Sequence, residues 1–283
     1  MEYISNKLAN RFGKDPKAAR RLRDQIACIK DDAGSLPDPL HAAYVRAQNL
    51  TSVFAEGISP LPEMEPYYDA AASAEDEFMP SGPPMSPLTG SYFTTWAFFD
   101  LRFGRDFETI GTILLDLSEY AGLSPTQYAV VREFQQSRMG IYEHDGAGGA
   151  RVRLRELLTD DEFTCVVPAG HIGRKGELWY VRLCPPLPGY DYHIAFTTPY
   201  LLRGASKADW IAYLGRSLDK TAGDETKKKL FHLMKFGLHP NGWPEFVLQA
   251  YAGHETSAIY LTGLPDQPQT LPHVDSTGKR RCG

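Results

Sequence analysis

The sequence predicts an α+β protein: a small antiparallel β-barrel or curled sheet over about residues 139–202, flanked by N- and C-terminal helices. Three observations carry that expectation. Between Met139 and Tyr200, short β-rich runs alternate with glycine and proline turns. On both sides, apolar residues recur at three- and four-residue intervals, the period of a helix. Helix-start signals such as Ser124-Pro-Thr-Gln127 stand at the head of those runs. One continuous domain accounts for the pattern, because the helices need an apolar surface to cover and the β module offers one.

Residues 1–56 are expected to be N-terminal helices. The first, to about Lys30, is basic: Arg11, Lys14, Lys17, Arg20, Arg21 and Arg23 stand beside an apolar stripe of Leu22, Ile26 and Ile29. Its charges read as a solvated face ahead of an arm for phosphate or an acidic partner. Pro39 opens a second run to about Glu56. Residues 57–87 read as an acidic, proline-rich surface loop, with seven prolines and no lysine or arginine from Ala47 to Leu101. Its carboxylates are expected to neutralise the basic arm in cis.

Residues 88–264 are expected to form a single α+β core, made of helices at 88–139, the β module at 139–202 and a helical cap at 203–264. Residues 265–283 read as a tail. Trp96, Phe98 and Phe99 are core candidates. Asp106 is the expected cap of a helix carrying Ile110, Ile113, Leu114 and Leu117. Ser124 caps the next, with Tyr128, Val131 and Phe134 buried as far as Met139, and the two helices should pair antiparallel. In the β module, Trp179, Val181 and Leu183 alternate with Tyr180, Arg182 and Cys184, and the runs at Phe163–Val167 and Tyr192–Phe196 do the same. Ser206 and Asp209 form a capping box, Gly237 ends the helix after Asp224, a third helix runs from Trp243, and Ala258–Thr262 reads as a last strand.

Composition removes several function classes. A formal charge of -5 excludes a surface given over wholly to nucleic acid. Cys28, Cys165, Cys184 and Cys282 form no C-x-x-C pair, which argues against a disulfide framework or structural zinc. The 8 histidines include no H-x-x-x-H or H-E-x-x-H, and His232 and His239 straddle Gly237, so no metal is expected. Phosphate-loop and serine-hydrolase motifs are absent, and no cofactor is expected. With no apolar run of membrane-spanning length and no apolar leader, the expected compartment is the cytoplasm, away from any membrane.

Two residue sets on the β module are candidate sites. Glu143, His144, Arg182 and His193 form the catalytic set. Asp145 follows His144 and Asp191 precedes His193, so either imidazole could work with a carboxylate while Arg182 holds an anion. His171, Arg174, Lys175, Trp179 and Tyr180 form the binding set, a basic loop tip beside two aromatic residues. A protein partner stands ahead of a nucleic acid, given the acidic chain.

The runs Val152-Arg-Leu-Arg-Glu-Leu-Leu-Thr-Asp-Asp-Glu-Phe163 and Gly176-Glu-Leu-Trp-Tyr-Val-Arg-Leu-Cys-Pro-Pro186 resemble a β module of uncharacterised bacterial proteins. They are also similar to the small barrel of some bacterial proteins bearing SEC-C metal-binding tails. The likeness covers about a quarter of the chain. The cysteine-rich tail is missing, since only Cys282 lies near the C-terminus, and no zinc role carries over. The resemblance implies architecture and no activity. The expected function is a non-catalytic binding or adaptor protein of a bacterial cytoplasm, with a hydrolase or transferase using a His/carboxylate pair as the alternative.

Overall fold

The computed structural model describes residues 3–29, 36–78 and 87–267. The basic N-terminal segment forms two helices rather than one, α1 (Ile4–Lys14) and α2 (Pro16–Ala27). Asp15-Pro16 causes the break. Pro16 has no N–H to extend α1, and the Asp15 carboxylate accepts the N–H groups of Lys17 (3.1 Å) and Ala18 (3.2 Å). Helix α3 (Pro39–Ile58) starts the same way, with Asp38 accepting from His41 N at 2.8 Å.

The acidic segment at 57–87 is not a loop throughout. A 3₁₀ turn at Pro62–Met64 leads into α4 (Glu65–Phe78). Pro62 and Pro66 sit in first turns, where a missing N–H leaves no bond unmade. Tyr67, Ala74 and Phe78 of α4 are buried. Arg11 of α1 meets Glu63 at 2.8 Å. Residues 79–86 of the expected loop lie outside the described residues.

Helix α5 (Pro87–Phe99) carries the aromatic stretch, with Trp96 and Phe99 buried and Phe98 half-buried. The cap of α6 (Ile110–Asp116) is Thr109, in a capping box with Thr112, rather than Asp106. Asp106 falls one turn too early to reach the first N–H groups. After α7 (Ser118–Ala121), Gly122 takes the left-handed conformation (φ 73°) that lets the chain reverse. Helix α8 (Pro125–Gln136) begins at the Ser124/Gln127 capping box and packs on α6. It buries Val130, Val131 and Phe134, whereas Tyr128 is exposed and Met139 already belongs to the first strand.

Strands β1 (Arg138–Gly148), β2 (Arg151–Glu156), β3 (Glu162–Val166), β4 (Leu178–Cys184), β5 (His193–Ala195) and β6 (Tyr200–Arg203) follow. Helices α9 (Lys207–Asp219), α10 (Thr226–Phe236) and α11 (Gly242–Ala250) then precede β7 (Tyr251–His254) and β8 (Ile259–Thr262). The sheet runs β1-β2-β3-β5-β4, and β4 pairs back onto β1 from Arg138↔Leu183 to Glu143↔Leu178. That pairing closes a small five-stranded barrel. Strands β6, β8 and β7 extend the sheet from β4, so the C-terminal cap is helical only in part. Nor is the barrel wholly antiparallel, since β3 and β5 run parallel; in the extension, β6 and β8 do so too. The chain passes from β3 to β4 before β5 fills the gap between them, which fixes the direction of β5.

Two apolar cores meet on β4. Tyr142, Val152, Leu154, Cys165, Trp179, Val181 and Leu183 fill the barrel. Met139, Ile141, Tyr180, Cys184 and Ile194 face outward into the core shared with the helices. All seven residues of β4 are therefore buried, with alternate side chains covered by the barrel on one side and helices on the other. Cys165 and Cys184 are unpaired. No helix among the described residues is long and apolar enough to cross a membrane. Of the expected tail, residues 265–267 form a turn closed by a bridge between Leu264 and Gln267, and the rest, Cys282 included, lies outside the described residues.

Candidate functional site

The structure separates the four expected catalytic residues. Arg182, on the helix-facing side of β4, is 1 % exposed and pairs with Asp100, which follows α5 and is 2 % exposed. Its guanidinium also donates to Ser137 O (3.0 Å) and Ser137 Oγ (3.1 Å). Lys235 of α10 donates to Asp100 Oδ1 and to Ser137 O, both at 2.8 Å. Two cations and one carboxylate thus tie α5, the α8–β1 junction, β4 and α10 together without reaching solvent. Arg182 is a structural residue, and an incoming anion cannot reach it.

That excess positive charge has a pH signature. Burial, with Arg182 adding to it and Asp100 opposing, brings the Lys235 ammonium down from 10.5 to about 8. The folded protein then releases this proton before the unfolded chain does. Between about pH 8 and 10.5 the unfolded state binds more protons, so unfolding free energy should rise with pH, by at most about 1.4 kcal/mol per pH unit. Urea denaturation at pH 7.5, 8.5 and 9.5 checks this. A rising trend in the wild type should flatten in Lys235→Met.

His144 is 1 % exposed at the end of the barrel. Its Nδ1 accepts from Gly146 N at 3.1 Å, so Nε2 carries the proton and donates to Ile172 O at 2.8 Å. Nε2 fastens the loop between β3 and β4 onto β1, while Nδ1 holds the irregular step at Gly146 within β1 itself. Asp145 faces away and is held by Lys175 (2.9 Å) and Arg155 (3.4 Å), which keep its carboxyl below the usual range. His193 is half-buried against Phe163, ring centroids 5.1 Å apart, and loss of solvent lowers its pKa. Asp191, its expected partner, pairs with Arg151 at 3.1 Å instead. Glu143 is taken by Lys207 at 2.6 Å. Neither proposed His/carboxylate couple forms: Asp145, adjacent to His144 in β1, points to the opposite face, and Asp191, two residues before His193 and outside β5, is held by Arg151.

The binding set also divides. Trp179 and Tyr180 are wholly buried, one inside the barrel and one under the helices, so neither offers a ring to a partner. His171 (Nε2 3.4 Å) and Trp179 (Nε1 3.2 Å) both reach Glu177 Oε2. Gly173 lies directly over this group. A Cβ there would come within 2.5 Å of the Trp179 ring and 2.8 Å of Glu177 Oε2, and its φ of +69° favours glycine. Only Arg174 and Lys175 remain exposed, and Lys175 is engaged by Asp145.

The open face of the barrel is carried by residues outside both sets. Arg151, Arg153 and Arg155 alternate with the buried Val152, Leu154 and Glu156 on β2, which puts three guanidinium groups on one outer face at intervals of about 7 Å. Arg151 pairs with Asp191 and lies over the Tyr192 ring, 4.6 Å from its centroid. Arg155 is shared by Glu162 (2.8 Å) and Asp145 (3.4 Å). Arg153, between Gly146 of β1 and Thr164 of β3, is exposed and, among the described residues, meets only the backbone oxygen of Asp145, at 3.3 Å. The signal was present in the sequence as Arg-x-Arg-x-Arg at strand period.

Cys165 and Cys184 are pushed up to about 12 by burial, which suits filler rather than nucleophiles. Among the described residues no group of three or more His, Cys, Asp or Glu side chains is placed to hold a metal. No family model, curated protein or solved structure matches the chain. The likeness to SEC-C-associated barrels therefore adds nothing to the geometry.

Proposed function

We propose that this is a non-catalytic binding protein of a bacterial cytoplasm that takes an extended acidic protein segment on the outer face of β2. The observation that carries the reading is Arg153, an exposed guanidinium with no carboxylate partner among the described residues, between two arginines of the same row. Arginine spaced at two residues along a strand suits carboxylates repeating at the same interval along an extended partner. A protein partner is favoured over nucleic acid because the face presents no open aromatic ring for base stacking: Tyr192 is 8 % exposed and lies under Arg151. The unpaired Cys28, Cys165 and Cys184 agree with a reducing compartment.

Fluorescence anisotropy with a labelled peptide of alternating glutamate and threonine tests the reading, with labelled oligothymidine as comparison. The peptide should bind, weaken as salt rises, and lose about tenfold or more in affinity with Arg153→Glu. Preferential binding of oligothymidine, or an Arg153→Glu protein that binds the peptide as well as wild type, would refute it.

A further inference from the structure

The loop between α5 and α6 carries an aromatic knob that the β2 face does not explain. Phe107 is 64 % exposed and has φ +56°, the left-handed backbone that a bulky side chain seldom adopts. The loop around it is anchored. Phe103 N donates to Glu108 O at 3.0 Å, and the Glu108 carboxylate accepts Ile4 N (2.6 Å) and Ser5 N (3.0 Å) at the start of α1. The Arg102 guanidinium lies between the rings of Phe107 and Phe236, 5.2 and 4.3 Å from their centroids. The Phe107 ring is therefore fixed in place outside both apolar cores.

Phe236 ends α10, and the turn after it borders a cleft of about 170 Å³ between α9 and α11. Tyr213, Trp243 and Phe246, each no more than 5 % exposed, supply the aromatic floor, and Leu238, 47 % exposed, stands at the rim. Trp243 cannot turn to close the space, because its Nε1 donates to the Leu233 carbonyl at 2.7 Å and its ring stacks on Tyr180 at 5.0 Å. Around the mouth, Arg216 and Lys220 are balanced by Glu245 and Asp266. Such a cleft favours an uncharged apolar ring over an ion of either sign.

We infer that the Phe107 ring seats in this cleft on a second copy of the chain. The sizes match, since a cavity of about 150 Å³ accommodates one benzene ring. An aromatic anchor in a preformed pocket is the usual energetic centre of a protein interface. A ring already fixed outward also loses little side-chain freedom on docking. Knob and cleft flank the C-terminal end of α10, with Phe236 between them. Reciprocal insertion about a two-fold axis then fills both clefts and closes the assembly at a dimer. The left-handed backbone at Phe107 is a local cost that this contact offsets.

Sedimentation velocity on the intact chain tests the assignment. From about 1 to 200 μM the wild type should pass from monomer to dimer. Phe107→Asn removes the ring and keeps a residue that tolerates left-handed backbone, so it should fold at least as stably and weaken the dimer about tenfold or more. Gly242→Leu fills the cleft, its Cβ meeting the His239 ring at 3.4 Å, and should weaken the dimer to a similar extent. Mixed together, the two variants restore one knob facing one open cleft, and a 1:1 heterodimer should appear where neither variant dimerises alone. A wild type that stays monomeric throughout the range would overturn the assignment. So would a dimer that survives either substitution. Because the β2 arginines take no part, the outcome is independent of the proposed peptide surface.

Discussion

Asp100→Ala is expected to lower unfolding free energy by about 3–5 kcal/mol, which for a domain of ordinary stability removes a large share of the total. The cost arises because Arg182, 1 % exposed, would be left charged with only Ser137 to hydrogen-bond it, and Lys235, 2 % exposed, would lose the carboxylate that supports its ammonium and be driven to give up its proton. The effect should come from the stranded basic groups and not from the lost carboxylate as such. Asp100→Leu combined with Arg182→Leu and Lys235→Met should therefore recover much of the loss, since buried ion clusters often give way to apolar side chains at little cost. Denaturant unfolding of the single and triple variants checks both statements. A single variant within about 1 kcal/mol of wild type would mean that the cluster is hydrated or looser than its geometry implies.

Trp179→Ala should cost a similar amount, about 3–5 kcal/mol, for a different reason. The indole is wholly buried in the barrel, with the His144 and His171 rings each 5.3 Å from it. Its removal leaves a cavity and also strips a donor from Glu177, whose hydrogen bonds hold its carboxyl below the usual range although burial opposes them. The loop between β3 and β4 should loosen with it, read as loss of amide-exchange protection at Ile172–Glu177. Trp179→Phe keeps most of the volume and should cost much less. Equal losses for Phe and Ala would place the effect in the hydrogen bond and not in the packing.

Local signals in the chain were legible because their physics is local. The Ser124/Gln127 and Ser206/Asp209 capping boxes and the strand periods of β3 and β4 each depend on residues a few positions apart. Helix α4 was hidden by prolines that lie in first turns, where they are harmless. Strand β7 was hidden because Gly253 sits at an irregular pairing step and interrupts alternation. Site residues failed for a longer-range reason. Alternation in β4 indicates two faces but not that both are covered, so Trp179 and Tyr180 read as surface aromatics and Arg182 as an anion ligand. The partners that redefine Arg182 lie 82 residues away at Asp100 and, through it, 135 residues from Asp100 at Lys235. The arginine row of β2 needs only the strand period to be found, since Arg151, Arg153 and Arg155 alternate with Val152, Leu154 and Glu156.

The most direct test of the β2 surface is amide hydrogen exchange with and without the glutamate–threonine peptide. Protection should rise over Arg151–Val166 and the neighbouring end of β1, leaving α9–α11 unchanged. Protection that appears only on the helices, or none at all at saturating peptide, would contradict a binding face on the open side of the barrel.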